Sequence, residues 1–238
     1  MAKIRLGVNI DHVATVRNAR GEDYPSPLRA ALFSQKNGAD SVTIHLREDR
    51  RHINESDLKE IISALRIPLN LEIAATKEMM KIALKTKPPF ICIVPEKRQE
   101  ITTEGGLNIK YNLKFLEENL PNLFKNNIEV SLFLDPEIDN INSSIELGVN
   151  AIEFHTGEIA NASGPKEKAL INKFEAVIEY AVAKNISVRA GHGLNYDKTK
   201  KIINFKNLEE LNIGHFIIGE SIFYGLSDVV KKMKKIIG

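Results

Sequence analysis

The sequence predicts an α/β fold in which eight parallel strands alternate with helices and close on themselves, and three observations carry that prediction. Short apolar runs rich in β-branched residues recur eight times along the 238 residues. Each is followed by a longer segment of helical period, the pattern of βαβ units around a parallel sheet. An open, doubly wound sheet is the other arrangement such a pattern allows, but no Gly-x-Gly-x-x-Gly follows the first run, and eight units suit closure better. The expectation is therefore a (β/α)8 TIM barrel with an outer ring of helices. No composition shift, long linker or low-complexity stretch breaks the pattern, so residues 1–238 are expected to form one domain.

Taken in order, strands are expected over residues 4–10, 41–46, 69–73, 90–94, 129–134, 151–155, 187–190 and 211–218. Helices are expected near 26–37, 55–65, 76–86, 110–126, 136–147, 165–184, 197–204 and 220–236. Several carry start signals: Ser26-Pro27, Asn54 before Glu55, Thr76 before Lys77-Glu78, and Asp135-Pro136. Gly38 and Gly148 stand where helices should stop. The fourth strand is followed by a long polar stretch, Pro95 to Gly106, that ends in two glycines. Loops of this length in a compact domain are functional or disordered, and a closing lid hinged at Gly105-Gly106 is the functional form.

Composition narrows the function. Apolar residues make up 43% and charged residues 27%, ordinary for a globular protein, and 33 basic residues nearly balance 31 acidic ones. A net charge of +2 and 6% aromatic residues give no basic surplus or stacking platform for nucleic acid, and no apolar run reaches the roughly 18 residues of a membrane span. The lone cysteine, Cys92, permits no internal disulfide and lies in an apolar run, as a packed side chain rather than a nucleophile would. With no signal-like segment at the start, a cytoplasmic protein is expected.

Parity then sorts the strand residues, because successive side chains point to opposite faces. One set is apolar: Val8 and Ile10, Val42 and Ile44, Leu69 and Leu71, Ile152 and Phe154, Leu211 and Ile213. The other is polar to an unusual degree: Asn9 and Asp11, Thr43, His45 and Arg47, Asn70 and Glu72, Glu153 and His155, Asn212 and Gly214. Buried without partners, such groups would cost about 1–3 kcal/mol each, so a core built for stability alone would not choose them. The polar set should converge on the barrel axis and its mouth, where barrels bind ligands.

The histidines point the same way. His12, His45, His52, His155, His192 and His215 all fall at the end of an expected strand or just after it, and none on an expected helix. The segment His45-Leu46-Arg47-Glu48-Asp49-Arg50-Arg51-His52 gathers two imidazoles, three guanidinium groups and two carboxylates, either as a solvated charge run or as a site that grips anions and moves protons. A metal is possible on this donor set, although no His-Glu-x-x-His spacing appears. Gly191-His192-Gly193 and Asn212-Ile213-Gly214-His215 occupy the usual phosphate seat of such barrels, although tight turns also use glycine. Arg17, Arg20, Arg47, Arg50 and Arg51 follow the first two strands, so a second anion seat is expected across the mouth.

Eight stretches in order resemble a known family. They are Gly7-Val8-Asn9-Ile10-Asp11-His12, Arg17-Asn18-Ala19-Arg20-Gly21, the His45–His52 segment, Asn70-Leu71-Glu72, Val94-Pro95-Glu96-Lys97-Arg98, Thr102-Thr103-Glu104-Gly105-Gly106, Gly191-His192-Gly193-Leu194 and Asn212-Ile213-Gly214-His215. The resemblance is to the pyridoxine 5′-phosphate synthases of the deoxyxylulose-dependent vitamin B6 pathway. It implies a barrel assembled as a homo-octamer that condenses 1-deoxy-D-xylulose 5-phosphate with 3-amino-2-oxopropyl phosphate, with no metal or organic cofactor. It further implies that His45 and Glu72 accept protons, His192 donates one and Glu153 stabilises transition-state charge. By the same resemblance Asn9, Arg20, Gly193, Gly214 and His215 seat the amino-ketone phosphate. Asp11, His12, Arg47, His52 and Thr102 seat the deoxyxylulose phosphate, with Thr102 in the lid. Arg189, Ile159 and Glu220 depart from the family pattern, where asparagine, tyrosine and arginine are commoner.

A phosphate-sugar aldolase or isomerase on the same barrel is the rival reading. A Schiff-base aldolase needs a lysine near the end of a strand, and none of the expected strands ends in one.

Overall fold

The computed structural model describes residues 3–96 and 105–238. Within them eight parallel strands close in sequence order, β1 (Arg5–Asn9), β2 (Ser41–His45), β3 (Leu69–Ala74), β4 (Phe90–Val94), β5 (Glu129–Leu134), β6 (Ala151–His155), β7 (Ser187–Gly191) and β8 (Leu208–Ile213), with β8 pairing back onto β1. The surrounding helices are α1 (Asp11–Arg20), α2 (Pro27–Lys36), α3 (Glu55–Ala64), α4 (Lys77–Thr86), α5 (Ile109–Lys125), α6 (Ile138–Glu146), α7 (Gly157–Asn161), α8 (Gly164–Ala183), α9 (Tyr196–Ile202), α10 (His215–Tyr224) and α11 (Leu226–Ile237). No described helix is long and apolar enough to cross a membrane.

Three of the four expected helix starts follow the chemistry of the sequence; the fourth, Asp135-Pro136, does not cap α6, whose N-cap is Glu137 with no side-chain bond. Ser26 accepts a hydrogen bond from the Arg29 N–H, Thr76 from Met79, and Asn54 forms a reciprocal box with Asp57, each satisfying donors that a helix leaves open. Three expectations need correction. Residues 11–20, given no helix, form α1, so His12 lies in a first helical turn rather than a loop. Residues 215–218, taken as the end of the last strand, begin α10, and the strand lies earlier, at 208–213. A run such as Phe216-Ile217-Ile218 fits a buried strand or a helix equally well by hydrophobicity, and within 208–213 only Leu211-Asn212-Ile213 alternates to mark the strand. The last expected helix is two, divided at Gly225, whose φ of +80° no ordinary side chain adopts cheaply.

Two separate apolar groups result. The large one fills the space between strands and helices with the apolar parity set, including Val8, Ile44, Leu71, Phe154 and Leu211. The small one, Cys92, Val94 and Phe133, lies inside the barrel. The rest of the interior is largely polar, and it is hydrogen-bonded across strands: Ser41 Oγ donates to Glu210, Thr43 Oγ1 to Asn212, and Asn212 Nδ2 to Glu153. The strand registers set Arg5 beside Glu210, Glu210 beside Arg189, and Arg189 beside Glu153.

Candidate active site

The site is built at the C-terminal mouth of the barrel, starting from β1. Asn9 Oδ1 accepts the Asp11 N–H at 2.9 Å while its Nδ2 donates to Asp11 Oδ2 at 2.9 Å, a local turn that fixes the carboxylate. Asp11 Oδ1 in turn accepts the His45 N–H at 2.9 Å. His45, 5% exposed at the end of β2, stands between two carboxylates, with Nδ1 3.8 Å from Glu72 and Nε2 3.3 Å from Glu96. Glu96 also accepts the Glu48 N–H at 2.8 Å and lies 3.7 Å from Arg47 Nε. Burial works against the Glu96 carboxylate, but His45, the Glu48 N–H and Arg47 outweigh it and leave its pKa below the usual range.

Behind His45 the interior carboxylates behave in the opposite way. Burial, reinforced by the charges of Glu153 and Asp11, raises the Glu72 pKa well above that of an ordinary glutamate. Glu153 is pushed up to about 7 by burial and by Glu210, against the Asn212 hydrogen bond and the Arg189 charge. Glu153 can therefore exchange protons near neutrality, as acid–base catalysis requires, while Glu72 holds its proton well above the ordinary glutamate range. The chain Asn70–Thr43–Asn212–Glu153 holds the second of them in place. A Cβ on Gly7 would lie 1.9 Å from Asn212 Oδ1. We expect Gly7→Ala to lower kcat by at least about tenfold by displacing Asn212 and with it Glu153, a change that steady-state kinetics on folded protein would detect.

Opposite them, β6 to β8 supply imidazoles. The tilted rings of His155 and His192 lie 4.8 Å apart between centroids, and those of His12 and His215 4.9 Å apart with a nitrogen-to-nitrogen distance of 3.3 Å. Burial lowers the pKa of His12, His52, His155 and His192, that of His192 to about 4 with help from its two histidine neighbours. His192 has φ +79°, an unusual conformation for a residue with a side chain, and its carbonyl accepts the Thr156 hydroxyl at 2.6 Å. Gly193 follows with φ +76°, and Gly214 caps the start of α10. Two glycines at the ends of β7 and β8 are positions where backbone N–H groups can approach a ligand closely.

The five arginines divide. Arg17 is buried and makes a two-bond ion pair with Asp57. Arg50 bridges Glu55 and Glu78, and Arg51 pairs with Asp49, whose carboxyl falls to about 2 chiefly through that bond. Arg47 is 4% exposed, between Asp49 and Glu96 at the mouth. Arg20 is three-quarters exposed at the end of α1, near Glu22, and joins none of the contacts above among the described residues. Thr102 and the rest of the expected lid, 97–104, lie outside the described residues. At its far end Gly106 packs so closely on β5 that a Cβ would meet the Asp135 nitrogen.

Sequence reasoning gave Glu96 no role, although the Pro95-Glu96 pair sits two residues past the end of β4, where barrel sites are built. It also missed that Glu210 would be fully buried with Arg5 and Ser41. Among the described residues one grouping is of metal-binding type: ligand atoms of Asp11, His45 and His52 lie within 4.8 Å of one another. Two of its residues are engaged in the protein, since His52 Nδ1 accepts the Ile53 N–H and Asp11 Oδ1 the His45 N–H.

Comparison with known proteins adds an independent finding. Residues 6–238 match the family described as pyridoxal phosphate biosynthesis protein PdxJ. The chain is 48% identical over 237 residues to a protein of Sulfurihydrogenibium sp. named pyridoxine 5′-phosphate synthase, covering 98% of each. It is 46% identical to a protein of that name from Ehrlichia chaffeensis, covering 100% of this chain and 98% of the other. Among solved structures, KGPDC from Streptococcus mutans superposes with a TM-score of 0.66 at 13% identity, covering 99% of this chain and 97% of that one. Phosphoribosylanthranilate isomerase from Thermotoga maritima does so at 0.58 and 13%, covering 98% of both. The structural likenesses show the barrel alone.

Proposed function

The chain belongs to the PdxJ family of pyridoxal phosphate biosynthesis proteins, and from that premise we propose that it is a pyridoxine 5′-phosphate synthase. It condenses 1-deoxy-D-xylulose 5-phosphate with 3-amino-2-oxopropyl phosphate, releasing phosphate and water, without metal or organic cofactor. The observation that carries the reading is His45 set between Glu72 and Glu96, across the barrel mouth from the glycines of β7 and β8. Joining an amine to a ketone, eliminating water and phosphate and closing an aromatic ring requires protons to be taken and returned at several atoms in turn. Glu72 and Glu153, with pKa values raised by burial, are suited to that traffic, and His45 relays to Glu72.

His192 acts as the donor in a particular way. At neutral pH its lowered pKa keeps it uncharged, so a phosphate dianion at Gly193 and Gly214 is what raises its proton affinity and charges it. Arg47, Asp11, His12 and His52 seat the second substrate, with Thr102 closing over it, while Asn9, Arg20 and His215 complete the amino-ketone seat. The chain functions as a single-domain cytoplasmic enzyme in a homo-octamer. Support for assembly comes from Ile222, Phe223 and Tyr224, exposed side by side at the end of α10.

Purified protein given both phosphorylated substrates in chelator-treated buffer should form a pyridoxine-like chromophore and free phosphate together. Product that appears only after metal is added, or from one substrate alone, would overturn the assignment.

A further inference from the structure

Four adjacent strands carry alternating charges on paired interior positions: Arg5 on β1, Glu210 on β8, Arg189 on β7 and Glu153 on β6. Glu210 is fully buried and is satisfied by Arg5 at 2.8 Å and Ser41 at 3.2 Å. Arg189 is 1% exposed, lies with its guanidinium 4.6 Å from the centre of the Phe90 ring, and donates through Nη2 to Glu129 at the base of β5. Its Nε and Nη1 are buried with no hydrogen-bond partner among the described residues. A buried cation held by one partner alone keeps much of its field, and in a poorly screened interior that field reaches the next interior position. Of the two positions paired with Arg189, Glu210 is already bonded to Arg5 and Ser41, and the other is Glu153.

We propose that Arg189 is a positioning residue for the reaction, acting through Glu153: its guanidinium supplies the positive charge that lets this carboxyl ionise inside the barrel. The proposal rests on the role given to Glu153 above and explains how that role is sustained. Glu153 also faces Glu72 from β3, Cys92 from β4 and Glu210 and Asn212 from β8. Glu72 and Glu210 favour its protonated form by like charge, and Cys92 is itself held protonated by burial. Among these neighbours Arg189 is the one positive charge, with Arg5 neutralising Glu210 one strand further on. Without Arg189, Glu153 would keep its proton through the neutral range.

The test is a direct titration of Glu153 by carbon NMR of glutamate carboxyl-labelled full-length protein, assigned with Glu153→Gln. In Arg189→Met the midpoint should rise by about one unit, tenfold in proton affinity, and Arg189→Lys should restore it to within a few tenths. The acid limb of the kcat/KM profile should move with it. An unchanged Glu153 titration in folded Arg189→Met would overturn the proposal whatever happens to turnover. If the titration moves as expected but Glu153→Gln retains full activity, the coupling stands and the catalytic role of Glu153 falls. Should Arg189→Met fail to fold, Glu129→Gln decides: freeing the guanidinium from its partner should lower the Glu153 midpoint, and a rise or no change would refute it.

Discussion

Replacing Glu72 by glutamine is expected to lower kcat by about 10^2- to 10^4-fold while leaving the fold intact and its stability at neutral pH unchanged or higher. The amide keeps the shape of the side chain but cannot take a proton, so the relay with His45, 3.8 Å away, ends there. The stability sign follows from the raised pKa. A carboxyl whose folded pKa exceeds its unfolded value costs nothing while both states are protonated, and it costs progressively more as pH climbs toward the folded value. Glu72→Gln should thus melt at or above the unmodified protein near pH 8, and the two should converge below the ordinary glutamate pKa of 4.5. Thermal melts across that range, with single-turnover kinetics at pH 7, check both halves. Retained turnover, or a variant that does not fold, would make Glu72 a structural residue. His45→Ala should also abolish turnover in a folded protein, at some cost in stability because it strips Glu96 of the imidazole nitrogen 3.3 Å away.

Asp57→Ala is expected to destabilise the protein by about 3–5 kcal/mol, and roughly 10 °C in melting midpoint, although Asp57 is not among the residues proposed to seat a substrate. Asp57 completes the box that starts α3 and neutralises the buried Arg17, so its loss leaves an uncompensated cation among helices. Arg17 also donates to the His52 carbonyl, so the same change loosens the loop that presents Arg47 and His52. Urea unfolding should report the loss, and KM for one of the two phosphorylated substrates should rise several-fold more than kcat falls. A midpoint within about 1 kcal/mol of the starting protein would show that the pair is dispensable.

Much of this architecture was legible in the sequence because a barrel strand writes its two faces in alternate residues. Val8 against Asn9, or Leu71 against Glu72, declares which side meets helices and which meets the axis. Seven strands were placed within two residues of their observed ends, and the eighth was displaced where Phe216-Ile217-Ile218 carried no period to read. The helix α1 escaped because its sequence, with Val13 and Ala14 as its buried apolar residues, has little apolar stripe. Contacts between distant segments were beyond reach. Arginines that follow the same two strands look alike in sequence, yet Arg17, Arg50 and Arg51 hold loops while Arg47 lines the mouth. Glu96 stood in a quoted motif without a role, because its value lies in meeting His45 from 51 positions away in the chain. Arg189 was noted as a departure, but only the registers set it beside Glu153.

The two separate apolar groups bear on how such a protein can change. Folding strength resides in the jacket between strands and helices, whereas Cys92, Val94 and Phe133 are the small apolar share of a lumen otherwise stitched by hydrogen bonds and ion pairs. Substitutions in the wall are paid in solubility and abundance, and those in the lumen in proton affinities. The lining of the lumen is thus physically separable from the jacket, and position 189 belongs to the lining.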